Sequence, residues 1–76
     1  MADIVWSGTV DDGTWLAQVV RTAEYEGRLT VTRVSDNEVI LDELVGLSYM
    51  ALFGPDVSDV VEWQDKAIEA IDNVSG

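Results

Sequence analysis

Gly54-Pro55-Asp56-Val57-Ser58-Asp59-Val60-Val61-Glu62-Trp63-Gln64-Asp65-Lys66-Ala67-Ile68-Glu69-Ala70-Ile71-Asp72-Asn73 decides the fold, because it reads as one amphipathic helix with a definite beginning. Gly54-Pro55-Asp56 stops whatever precedes it, Asp56 is placed to cap the first turn, and Asp59 completes an acidic form of the capping box. Val57, Val60, Val61, Ala67, Ile68 and Ile71 recur at helical spacing as the predicted dry face, with Trp63 beside it. Asp59, Glu62, Asp65, Glu69 and Asp72 take the predicted wet side.

A helix with an apolar stripe needs a surface to bury it against, and the residues before it supply one. Ile4, Trp6, Gly8 and Val10 alternate with Val5, Ser7 and Thr9 at the period of a strand. Asp12-Gly13 is a strong hairpin signal, since both residues tolerate positive φ. With that pair as the turn, Val10 falls opposite Trp15, Gly8 opposite Ala17 and Trp6 opposite Val19, so the large apolar pairs share one face. The other face then receives Thr9 with Leu16, Ser7 with Gln18 and Val5 with Val20.

Thr22 to Gly27 reads as a polar connector, and Arg28 to Val34 as a third strand rich in β-branched residues. Ser35-Asp36-Asn37-Glu38 is a second turn by composition, and Val39-Ile40-Leu41 starts a fourth strand. Leu29 and Val31 are expected to share a face with Ile40 and Leu44, and Arg33 to lie near Glu38. Leu44 to Phe53 alternates as a strand would, yet is apolar enough to read also as a helical turn; an extended, mostly buried connector is expected there. The resulting fold class is α+β over one domain, residues 1–76. It is a four-stranded antiparallel β-meander with one C-terminal α-helix packed on one face, in the order ββββα.

Composition narrows the chemistry. The 76 residues include no cysteine and no histidine, so disulfides and the usual zinc, haem and iron–sulfur ligand sets are excluded. Nucleophilic catalysis by an activated serine or cysteine loses its ordinary base for the same reason. Asp11-Asp12 and Asp56-x-x-Asp59 lack the alternating oxygen ligands of a calcium loop and read as turn and capping residues. We expect no enzyme activity, no metal and no cofactor. Hydrophobic residues at 47% argue against intrinsic disorder. The start, Met1-Ala2-Asp3-Ile4, has no signal-peptide character and no stretch is apolar enough to span a membrane, so a cytoplasmic protein is expected.

A net charge of −11 argues against direct contact with nucleic acid or an anionic membrane surface and points to a basic protein partner. Most of that charge lies from Asp36 onward, where Lys66 is the only base. Glu62, Asp65, Glu69 and Asp72 fall at three- and four-residue spacing and form a predicted partner-binding ridge. A solvated, solubilising face is the plainer account of the same residues. Mimicry of DNA phosphates, blocking a nucleic-acid-binding protein, is the sharper one. Val5, Leu16 and Val20 share the predicted uncovered sheet face and make a candidate surface for a homodimer or an assembly subunit.

The segment Ala51-Leu52-Phe53-Gly54-Pro55-Asp56-Val57-Ser58-Asp59-Val60-Val61-Glu62-Trp63-Gln64 resembles small, acidic, uncharacterised proteins of actinobacteria and actinobacteriophages. The resemblance covers a minor part of the chain and implies no known activity. It does imply a setting, a phage or a high-GC bacterium, in which small accessory proteins bind a host or virion component in the host cytoplasm.

Overall fold

A computed structural model describes residues 3–47 and 57–75. Four strands, β1 (Asp3–Val10), β2 (Trp15–Ala23), β3 (Glu26–Arg33) and β4 (Glu38–Gly46), form one antiparallel sheet in the order of the chain, followed by helix α1 (Val57–Ser75). This is the ββββα architecture that the periodicities predict.

The first hairpin closes in the expected register, with Val10 against Trp15, Gly8 against Ala17 and Trp6 against Val19. Its turn bends harder than two residues require: Asp11, Asp12 and Gly13 all have positive φ, at 54°, 55° and 90°. Short polar side chains and glycine tolerate that region, which is why this turn is built from them. The Thr14 N–H donates to the Asp11 carbonyl at 3.1 Å, and the Thr14 hydroxyl donates to the same oxygen at 2.8 Å.

Three local expectations are corrected. The register shifts between Ile4 and Trp6, so Ile4, not Val5, lies opposite Val20. Val5 is the extra residue of that bulge and packs on the helix side of the sheet beside Val19, Leu29 and Trp63. The polar connector is also shorter than read. β2 continues to Ala23 and β3 begins at Glu26, leaving Glu24-Tyr25 as the turn, and Gly27 belongs to the strand. A side chain at Gly27 would place its Cβ 2.9 Å from Val19 Cγ1 and 3.2 Å from the Val20 carbonyl oxygen, so close packing, not turn geometry, explains this glycine. Finally, Leu44 pairs with Arg28 and is exposed, whereas Leu41 and Val45 take the core positions opposite Val31 and Gly27. A second bulge, between Val31 and Thr32, lets Ile40 join the core side as expected.

β4 runs through Gly46 without a break, and Leu47 extends it by donating to the Tyr25 carbonyl at 2.9 Å. The rest of the predicted connector, residues 48–53, and the capping residue Asp56 lie outside the described residues.

One face of the sheet carries the core in two joined clusters. Trp15, Ala17 and Val31 meet Ala67 and Ile71 at one end; Val19, Leu29, Val45 and Leu47 meet Trp63 at the other. The helix thus lies along the sheet with Trp63, fully buried, at the middle of its contact. Trp6 touches both clusters, and its indole lies 5.9 Å from that of Trp63 at a tilt of 45°.

Candidate functional site: the outer helix face and the β1 groove

The buried line of α1 is Asp59, Trp63, Ala67 and Ile71, one residue per turn. That line is rotated from the stripe predicted by helical spacing. Trp63 is at its centre and not beside it, while Val57, Val61 and Ile68 are exposed. Asp59, assigned to the wet side, is 5% exposed and belongs to the dry one. Its place in the first turn explains how a carboxylate is accommodated there, because the leading N–H groups of a helix form its electropositive end.

With 3.6 residues per turn, the order of side chains around α1 follows from this line. Next to Ala67 and Ile71 come Gln64, Val57, Ile68 and Val61. Beyond them lie Asp72, Asp65, Glu69 and Glu62, and then Asn73 and Lys66. All four members of the predicted ridge are exposed and contiguous. Lys66 leaves the ridge to reach the sheet: its Nζ lies 3.0 Å from Glu43 Oε1 on β4. Hydrogen bonding and attraction from Glu43, with added attraction from Glu62 and Glu69, hold the Lys66 ammonium above the ordinary lysine pKa of 10.5. The helix's single base is therefore engaged at one border of the acidic face.

The opposite border is apolar. Because α1 leans toward β3 and β4, a groove of about 330 Å³ remains between the helix and β1, walled by Trp6, Gly8, Val10, Gln64, Ala67 and Ile68. Gly8 keeps its floor low. A Cβ at that position would stand 3.1 Å from Cζ2 of Trp6, whose ring lies against the strand. The sequence contains no sign of this groove, which exists only because of the helix's rotation and sideways offset.

The uncovered sheet face has a plainer organisation. Three rows cross it: Ile4, Val20, Arg28 and Leu44; Ser7, Gln18, Thr30 and Asp42; Thr9, Leu16, Thr32 and Val39. Of the predicted self-association residues, Leu16 and Val20 lie here and are half-buried, but Val5 does not. Exposed Ile4, Leu44 and Val39 extend the apolar surface that Leu16 and Val20 begin. The middle row is polar, and Arg28 Nη1 donates to Asp42 Oδ1 at 2.6 Å across it. At the far edge Arg33 donates to Asp36 at 3.1 Å and to Glu38 at 3.0 Å, with its guanidinium 5.2 Å from the Trp15 ring centre on the core side.

Among the described residues, no three acidic side chains converge as a metal site, and no helix is long and apolar enough to cross a membrane. No family model matches the chain, and no curated protein and no solved structure shows significant similarity to it.

Proposed function

We propose that this protein is a non-enzymatic binding module whose outer helix face, Glu62, Asp65, Glu69 and Asp72, meets a basic surface of another protein. The observation that carries the reading is the ridge itself. Four exposed carboxylates stand together, and the helix's one base, Lys66, which still feels Glu62 and Glu69, makes its ion pair with Glu43, so the ridge stays net negative. The helix is also a firm platform, since Trp63 anchors its other side in the core.

Electrostatic complementarity of this kind raises association rates and selects partners by charge. Mimicry of nucleic-acid phosphates is a special case of the same ridge, in which the partner's own DNA or RNA would compete. The resemblance of residues 51–64 to actinobacterial and phage proteins motivates a search among host or virion components, in a cytoplasmic setting. The test is capture from such a lysate by the wild type and by a Glu62/Asp65/Glu69→Lys variant. A basic protein should be retained by the wild type, released by salt, and not retained by the variant. Equal retention by both, with the variant still folded, would discard the ridge.

The open sheet face supports a second reading as a homo-oligomeric assembly subunit, since Ile4, Leu16, Val20, Leu44 and Val39 leave apolar area on it.

A further inference from the structure

The two edges of the sheet are not alike. β4 carries Glu38, Asp42 and Glu43 along its length and is tied to the helix by Lys66, whereas β1 has only Asp3 before its turn. Charges along an edge discourage strand addition, and β1 has little of that protection beyond its bulge at Val5.

Which backbone groups β1 offers follows from the ladder. Val34 N–H donates to the Thr14 carbonyl at 3.0 Å, and Leu47 N–H donates to the Tyr25 carbonyl at 2.9 Å. In antiparallel pairing the direction of backbone groups alternates from residue to residue. Both bonds therefore direct Trp15, Ala17 and Val19 toward β1, so that Val10, Gly8 and Trp6 pair inward. Ser7 and Thr9 then turn their N–H and C=O groups away from the sheet, as an open edge two residues apart. The groove lies along this same edge. A strand added beside β1 would place alternate side chains in it, against Gly8 and Ile68, and the others over the open face.

We propose that β1 and the groove take an extended segment of a partner protein as a fifth strand, with apolar residues entering the groove and basic residues between them. Charge selects this occupant over a second copy of the chain. Two β1 edges aligned antiparallel about Ser7 would set Asp3 beside Asp11 and bring together two chains of net charge −11. A basic segment faces a chain of net charge −11 and, at the two ends of the strand, Asp3 and the Asp11-Asp12 turn. This surface is separate from the Glu62–Glu69 side of the ridge, and the experiment separates the two.

The probe is a synthetic peptide of alternating valine and lysine, titrated into the isotope-labelled full chain and followed by amide shifts and hydrogen exchange. Binding should protect the Ser7 and Thr9 amides, shift Trp6, Gly8 and Ile68, and fail with a valine–glutamate peptide. Ser7→Pro removes an outward N–H without touching the β1–β2 ladder, and Ile68→Lys alters an exposed side chain. Each should weaken binding by roughly tenfold or more with the fold intact. Binding abolished by Glu62/Asp65/Glu69→Lys but indifferent to Ser7→Pro and Ile68→Lys overturns the groove and leaves the ridge. Protection of Ser7 and Thr9 that rises with protein concentration and needs no peptide overturns it in favour of a second copy. No binding at millimolar peptide overturns it outright.

Discussion

Trp63 buries a whole indole yet finds no acceptor for its Nε1 among the described residues. The ring contributes a few kcal/mol through apolar burial, against ~1–3 kcal/mol for an unpaired buried donor. These opposing effects predict different outcomes for two substitutions. Trp63→Ala should cost about 3–5 kcal/mol in urea unfolding, a large share of the stability a small domain has. Trp63→Phe should cost far less, because it deletes the unpaired N–H while keeping most of the ring contact. Equal losses in the two variants would mean that the ring's packing is not what holds the helix. Trp63 was legible as a packing residue from its place near the stripe. Its centrality was not, because spacing alone weighs a tryptophan no more than a valine, whereas the sheet's contact surface is built around the largest ring.

At the scale of elements, α1 is held to β4 by an ion pair, to the middle of the sheet by packing, and to β1 through Trp6, beside which the groove opens. Lys66 titrates above the ordinary lysine range in the fold, so its contribution is complete at neutral pH and fades only as pH climbs through that raised value. Comparing wild type with Lys66→Met, the difference in unfolding free energy should hold from neutral pH to the ordinary lysine range and vanish above it. A difference that persists into stronger alkali would assign the effect to the lysine's aliphatic stem. The pair is partly exposed, so salt should shrink the difference as well.

The strands were readable to the extent that their turns were. Asp12-Gly13 set the first hairpin's register, and Asn37, at φ 58°, closes the third. Glu24-Tyr25 has no such marker, while Gly27 has the composition of a turn and lies in the strand. The three register shifts left no trace in the alternation, yet the one between Ile4 and Trp6 turned Val5 to the opposite face. Helix azimuth was the least legible feature. Val57, Val61 and Ile68 complete an apolar arc wider than the sheet can cover, and only packing decides which part of it stays dry.

For the whole molecule, the same surplus of apolar surface sets the question of association. The acidic ridge borders the β1 groove at Ile68, the open face lies on the other side of the sheet, and a net charge of −11 opposes bringing copies together. If the open face is an assembly surface, sedimentation equilibrium at high micromolar concentration should show dimers that strengthen with salt and weaken in a Leu44→Lys variant. A strict monomer under those conditions removes that reading. The ridge was legible from its spacing. The groove was not, because it depends on an offset between layers that no local pattern records.

The tilted pair formed by Trp6 and Trp63 has an optical consequence. Two indoles so near and so inclined couple their electronic transitions, which imprints a paired positive and negative band on the circular dichroism spectrum. One chromophore rides on the edge strand and the other on the helix. The molecule thus carries a built-in gauge of whether those layers are engaged, and it would fall silent if the helix swung away, even with every hairpin intact.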